Sequence, residues 1–256
     1  MNEFEKASSA QIMRRTFLQS CGAVGAGLML SQIGLLRPEE VDAATNLWAE
    51  AETERVQDIL DILATNEAFG VTLVGTVLDS AKNGSYNPAI PDKVLKTLRG
   101  VRAQEQFHLD FLKGAGARLR TNTFYLADPN LLTDPHTLFT DLVELEDAAI
   151  AAVMASFKTF ARERRFDLVK QNFQFAAEES EHRLLANRAL GVRPANNQAF
   201  APALFPTVTQ FYAALKHKGI IEGSGKKINY PGPGAIDASN VIYRTPGGPA
   251  VSCTPQ

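Results

Sequence analysis

Residues 177–186 read AEESEHRLLA, which sets Glu178, Glu179 and Glu181 within four positions of His182. On a helix turning about 100° per residue, Glu181 falls almost opposite Glu179, and Glu178 sits on the flank. The surrounding segment puts Asn172, Phe175, Glu179, His182, Ala186 and Ala189 on one stripe of three- and four-residue steps. Glu179 and His182 therefore point where the apolar residues point, while Glu181 is expected in solvent. A carboxylate turned into an apolar interior needs a partner, because burying an uncompensated charge is costly.

The same arrangement recurs upstream. Leu98, Val101, Glu105, His108 and Leu112 form a second stripe with Glu-x-x-His at its centre. A single buried Glu-His pair reads best as a structural hydrogen bond. Only four histidines occur among 256 residues, however, and two of them follow a glutamate by three positions. Two further stripes, Leu60-Leu63-Glu67-Val71-Val74-Leu78 and Leu138-Leu142-Glu146-Ala149-Val153-Phe157, are each interrupted by one glutamate. Glu67 and Glu105 lie 38 residues apart and Glu146 and Glu179 lie 33 apart, so paired helices return to about the same height. All six side chains can meet.

These stripes belong to four long helical segments rich in Ala, Leu, Glu, Lys and Arg. The first is expected from about Asn46 to Lys82, ending at NGSYNP, and the second from PDKVLKTL to GAGA. The third follows TDPHT and reaches about Arg165, and the fourth runs from about Phe166 to Leu190. Short links within each pair predict antiparallel hairpins, and the intervening ARLRTNTFYLADPNLLTDPH is long enough to cross the length of a bundle. The expected fold is all-α: four helices as two hairpins joined by a long crossover, over residues 44–191. Beyond Gly191, Gly and Pro make up about a quarter of the residues, which predicts an irregular extension over 192–256. One short helix is expected there at FPTVTQFYAALKHKG. His136 reads as a helix-start or loop residue, His217 as part of a solvated face, Trp48 as core, and EGSGKK as a turn.

Four carboxylates gathered in an apolar interior repel one another and lose hydration, and two divalent cations would neutralise them. Carboxylate oxygen with imidazole nitrogen suits iron or manganese, and without thiolates a closed zinc site or iron-sulfur cluster is disfavoured.

In these four glutamates and two Glu-x-x-His motifs the chain resembles the ferritin-like di-metal carboxylate superfamily. Its remaining features are most similar to exported bacterial ferritin-like domain proteins related to plant desiccation-associated proteins. The resemblance covers about Thr45 to Gly191. It implies that Glu67, Glu105, His108, Glu146, Glu179 and His182 are metal ligands, with Glu105 or Glu179 as bridges, around two Fe or Mn ions. It further implies reaction with dioxygen or peroxide, of ferroxidase, peroxidase or oxidase type, in stress protection. The alternative is a non-enzymatic desiccation or envelope protein whose metals hold the helices together. A homo-oligomer is compatible with either reading.

Residues 1–43 read as a twin-arginine export signal: Arg14 and Arg15 precede Thr16-Phe17-Leu18 and a Gly/Ala-rich apolar run. That run is shorter than the roughly 20 residues a spanning helix needs. Export to the periplasm or beyond is expected, with no membrane span in the mature chain. Cys21 falls in the signal and leaves Cys253 alone, so no internal disulfide is expected after processing. A formal charge of -2 offers no basic field for nucleic acid.

Overall fold

The computed structural model describes residues 54–192, 200–234 and 236–237. The export signal, Trp48, Cys253 and the first residues expected in the opening helix lie outside the described residues. Five helices and one two-stranded sheet make up the described part. The four long helices are α1 (Val56–Lys82), α2 (Asp92–Gly114), α3 (Pro135–Arg162) and α4 (Phe166–Ala189). Their C-terminal ends fall within a few residues of the expected limits, but the expected start of α1 near Asn46 is corrected: the helix begins at Val56, after an extended Arg55.

Local chemistry sets these ends. Pro135 opens α3, and the Asp134 carboxylate accepts from the backbone N–H of Thr137 at 2.8 Å, an N-cap that satisfies a first-turn donor. Lys82, Lys113, Arg162 and Arg188 stand in the last turns of the four helices, where a positive charge opposes the helix dipole favourably.

Contacts between the helices run in reverse order along the chain. From α1 to α2, Gln57 donates to the Gly116 carbonyl at 3.0 Å, Glu67 meets His108, and the Val71 carbonyl accepts from Arg102. From α3 to α4, Asp147 pairs with Arg183 and Ser156 accepts from Asn172 at 2.6 Å. Between α2 and α4, Gln104 meets His182 and His108 meets Glu178. Each of these pairs is antiparallel. The most apolar window of α1 would suffice in length and hydropathy to cross a membrane, yet 78% of it is buried inside the protein.

The expectation of a purely helical chain is corrected. Within the long connection lie β1 (Thr123–Leu126) and a 3-10 turn (Pro129–Leu132), and the tail returns as β2 (Lys226–Asn229) to pair antiparallel with β1. The reason lies in alternation: Phe124 and Leu126 face inward while Thr123 and Tyr125 are partly exposed, and Ile228 comes opposite Phe124. Phe124 is fully buried, its ring centroid 5.4 Å from that of Phe69 on α1. The connection is tied along α1 by Arg118 N–H to Asp61 at 2.8 Å and Arg120 N–H to Thr65 Oγ1 at 2.9 Å.

The short tail helix forms as α5 (Val208–His217) and buries Val208, Phe211, Ala214 and Leu215. It packs on α1 and α3. The Glu54 carboxylate accepts from the N–H groups of Val208 and Thr209 at its N-terminus, and Lys218 beyond its last turn reaches Asp141 at 2.5 Å and Glu144 at 3.2 Å. His217 is exposed, as expected, and EGSGKK turns before its two lysines enter β2.

Truncating Phe124 removes a ring that joins the connection to α1, so Phe124→Ala is expected to cost about 3–5 kcal/mol. Phe173→Ala, at a side chain 70% exposed, is expected to stay within about 0.5 kcal/mol. Urea unfolding of both variants checks the contrast.

Candidate metal centre

The six residues singled out from the sequence converge. Glu67 comes from α1, Glu105 and His108 from α2, Glu146 from α3, and Glu179 and His182 from α4. None exposes more than 9% of its surface. Glu179 stands between the two imidazoles: its Oε1 is 3.2 Å from His108 Nδ1 and its Oε2 is 3.1 Å from His182 Nδ1. Glu67 Oε2 lies 3.2 Å from His108 Nδ1, and Glu105 Oε1 lies 3.1 Å from His182 Nδ1. Glu146 Oε1 is farther out, at 3.9 Å from the same Nδ1.

The donor atoms fall into two overlapping sets. Glu67, Glu105, His108 and Glu179 form one, and Glu105, Glu146, Glu179 and His182 form the other. Within each set the ligand atoms all lie within 4.8 Å of one another, close enough to surround one ion. Glu105 and Glu179 belong to both. Each set therefore has one private carboxylate, one imidazole Nδ1 and two shared carboxylates. The donors are carboxylate oxygens and imidazole nitrogens, with no sulfur among them.

With both Nδ1 atoms turned inward, each Nε2 is held from behind. His108 Nε2 lies 2.9 Å from Glu178 Oε2, and His182 Nε2 lies 3.3 Å from Gln104 Oε1. An acceptor at Nε2 keeps the proton there and leaves Nδ1 free to ligate, an arrangement that orients the ring and raises its basicity. Glu178 is half-buried, as a flank residue should be, and its contact with His108 of the opposite helix is what the sequence did not indicate. Gln104 was not signalled by any apolar stripe. Both occupy one position, immediately before the glutamate of each Glu-x-x-His, and in antiparallel α2 and α4 that position faces the other helix's histidine. Glu181 is exposed, as expected.

Two glycines inside α1 find their explanation here. Glycine in a helix interior costs about 1 kcal/mol relative to alanine. A Cβ on Gly70 would lie 2.8 Å from Glu105 Oε2, and a Cβ on Gly75 would lie 2.8 Å from the Arg102 guanidinium. Charged groups of α2 are thus laid directly against the α1 backbone.

Without an ion the cluster balances itself through protons. Burial raises Glu67 and Glu146 well above the usual carboxylate range, and the nearby Glu179 charge adds to this. Burial disfavours charge on His108 and His182, but the hydrogen bonds their rings donate to carboxylates overcome it and hold both well above the usual imidazole range. At Glu179 burial is likewise overcome by hydrogen bonds from the two histidines, which leave it ionised far below its ordinary range. Glu178 is lowered by its bond to His108. No buried side-chain nitrogen or oxygen among the described residues lacks a hydrogen-bond partner.

A signed pH dependence results. The raised histidines contribute stability that is complete below about pH 6.5 and is lost as pH rises through their folded values; Glu67 and Glu146 act in the same sense from about pH 4.5 upward. Glu178 and Glu179 act oppositely, losing their contribution only as pH falls below the ordinary carboxylate range. Chelator-treated protein should therefore melt at lower temperature at pH 9 than at pH 6.5, and a metal-loaded sample should lose less or reverse the trend, because ligation requires deprotonated groups. Thermal scans across that interval check the sign. No protein-family model, curated protein or solved structure matches the chain.

Proposed function

We propose that this chain is a ferritin-like four-helix bundle holding a dinuclear iron or manganese centre on Glu67, Glu105, His108, Glu146, Glu179 and His182. The observation that carries the reading is the pair of overlapping donor sets, each with two carboxylates in common with the other. Bound there, two ions cycling between divalent and trivalent states would supply two electrons, enough with two protons to take dioxygen to hydrogen peroxide or hydrogen peroxide to water. The chain's own residues hold and orient that centre: Glu178 and Gln104 fix the imidazoles, Gly70 lets Glu105 approach α1, and the apolar stripes keep bulk water out. A role in oxidative protection outside the cytoplasm accords with the export signal read in residues 1–43. Folding before export would let the cytoplasm choose the metal, where affinity order alone favours copper or zinc.

A second reading, in which the ions serve only to hold the protein together, is favoured by one observation: the six side chains come from all four long helices. The two readings part on turnover. Peroxide- or dioxygen-dependent oxidation by the loaded protein supports the first. A large loss of thermal stability on chelation without any turnover supports the second.

Metal analysis of exported protein is expected to give about two ions per chain, and the Glu105→Ala, Glu179→Ala double variant none, since it removes both shared carboxylates. An unchanged ion content in that variant would overturn the assignment. Gly70→Ala is expected to keep the helix content while weakening metal binding by about 10–100-fold, because the new methyl displaces the Glu105 carboxylate. Circular dichroism with competitive metal titration separates the two effects.

A further inference from the structure

Beside the Glu146 and His182 donors the protein interior is not fully packed. A cavity of about 30 Å³ opens there between all four long helices. Of its lining, Val94 and Leu185 are half-buried and mark its more exposed side, the mouth, while Leu98, Leu142 and Ala186 are buried and make up its apolar inner wall, the throat. Glu146 and His182 belong to the same lining. Thr97 also borders it; its hydroxyl donates to the Lys93 carbonyl at 3.2 Å and so offers only an acceptor oxygen. Apart from that oxygen and the Glu146 and His182 donors themselves, the side chains of its lining are apolar and offer no hydrogen bond.

The other donor set is covered differently. Neither Glu67 nor His108 borders this cavity. The Phe175 ring lies over His108, with centroids 4.8 Å apart, and the outer side of that imidazole ends on the half-buried Glu178 carboxylate.

We propose that this cavity is the way in for a small uncharged apolar molecule, dioxygen, and that it delivers it to the Glu146/His182 side of the centre alone. The inference rests on the dinuclear-metal reading and adds the identity of the oxidant and the side it reaches. Size and polarity carry it. A cavity needs roughly 10–15 Å³ to hold one water, so about 30 Å³ takes a molecule of two heavy atoms with little to spare. Hydrogen peroxide would give up its hydrogen bonds to water and find none along Leu98, Leu142 and Ala186, and a hydrated cation would lose far more. Dioxygen forfeits no hydrogen bonds on leaving water.

Crystals of the full chain pressurised with xenon, together with rapid mixing of ferrous-loaded protein against dioxygen and against hydrogen peroxide, test this. Xenon is expected between Leu98, Leu142 and Ala186. Ala186→Leu, which fills the throat, should abolish the xenon peak and slow oxidation by dioxygen about ten-fold, equivalent to about 1.4 kcal/mol on the barrier. Val94→Phe, at the half-buried mouth, should slow dioxygen in the same direction and keeps the test open if the core variant fails to fold. Absence of xenon from the throat overturns the proposal, as does an unchanged dioxygen rate in a variant that has lost the xenon peak. Failure of the wild-type protein to bind ferrous iron would instead sink the dinuclear reading, and the xenon map would still decide whether the throat admits an apolar gas.

Discussion

One carboxylate, that of Glu179, is shared between two buried imidazoles, with an oxygen about 3 Å from each Nδ1. Everything around it answers to the difficulty of keeping four acidic groups in an apolar interior. If one helix slid along its neighbour by a single turn toward its C-terminus, a glutamate would leave this cluster and an apolar residue such as Leu63, Val101, Leu142 or Phe175 would take its place. The repeated step of three and four residues in the four stripes is thus both a packing code and a register code. Packing alone would tolerate several registers, and the need to compensate charge narrows them.

The parts of the chain outside the long helices support that register. The connection between α2 and α3 follows α1 through Asp61 and Thr65, and β2 closes over it so that Ile228 and Phe124 share one apolar face. Glu54 holds the start of α5, while Lys218 beyond its end is held by Asp141 and Glu144 of α3. Cross-links of this kind span elements far apart in sequence, and the Lys218 pairs are themselves partly buried.

The two halves of the cluster share a donor pattern but differ in surroundings. A carboxylate stands behind His108 and an amide behind His182. A carboxylate acceptor makes an imidazole a stronger donor than an amide does. The Glu146 side meets an apolar cavity, whereas the His108 side meets an aromatic ring and a half-buried acid. A pseudo-symmetric set of ligands is thereby placed in an unsymmetric environment.

Periodicity made the long helices and the inward direction of Glu67, Glu105, Glu146, Glu179 and both histidines legible, because a helix of known pitch converts spacing into direction without any knowledge of neighbours. Gly70 and Gly75 carried no readable purpose, since a missing Cβ has meaning only once the group that approaches it is known. Glu178 and Gln104 were hidden for a related reason: they act on a histidine of the opposite helix, 70 and 78 residues away, and only the antiparallel packing of α2 on α4 brings them there. The strand pair was equally beyond reach, because β1 and β2 are four-residue segments about 100 residues apart whose pairing is non-local. What the chain alone determined was which residues turn inward; which of them touch, and which side of the cluster borders a cavity, was decided by helices packing against one another.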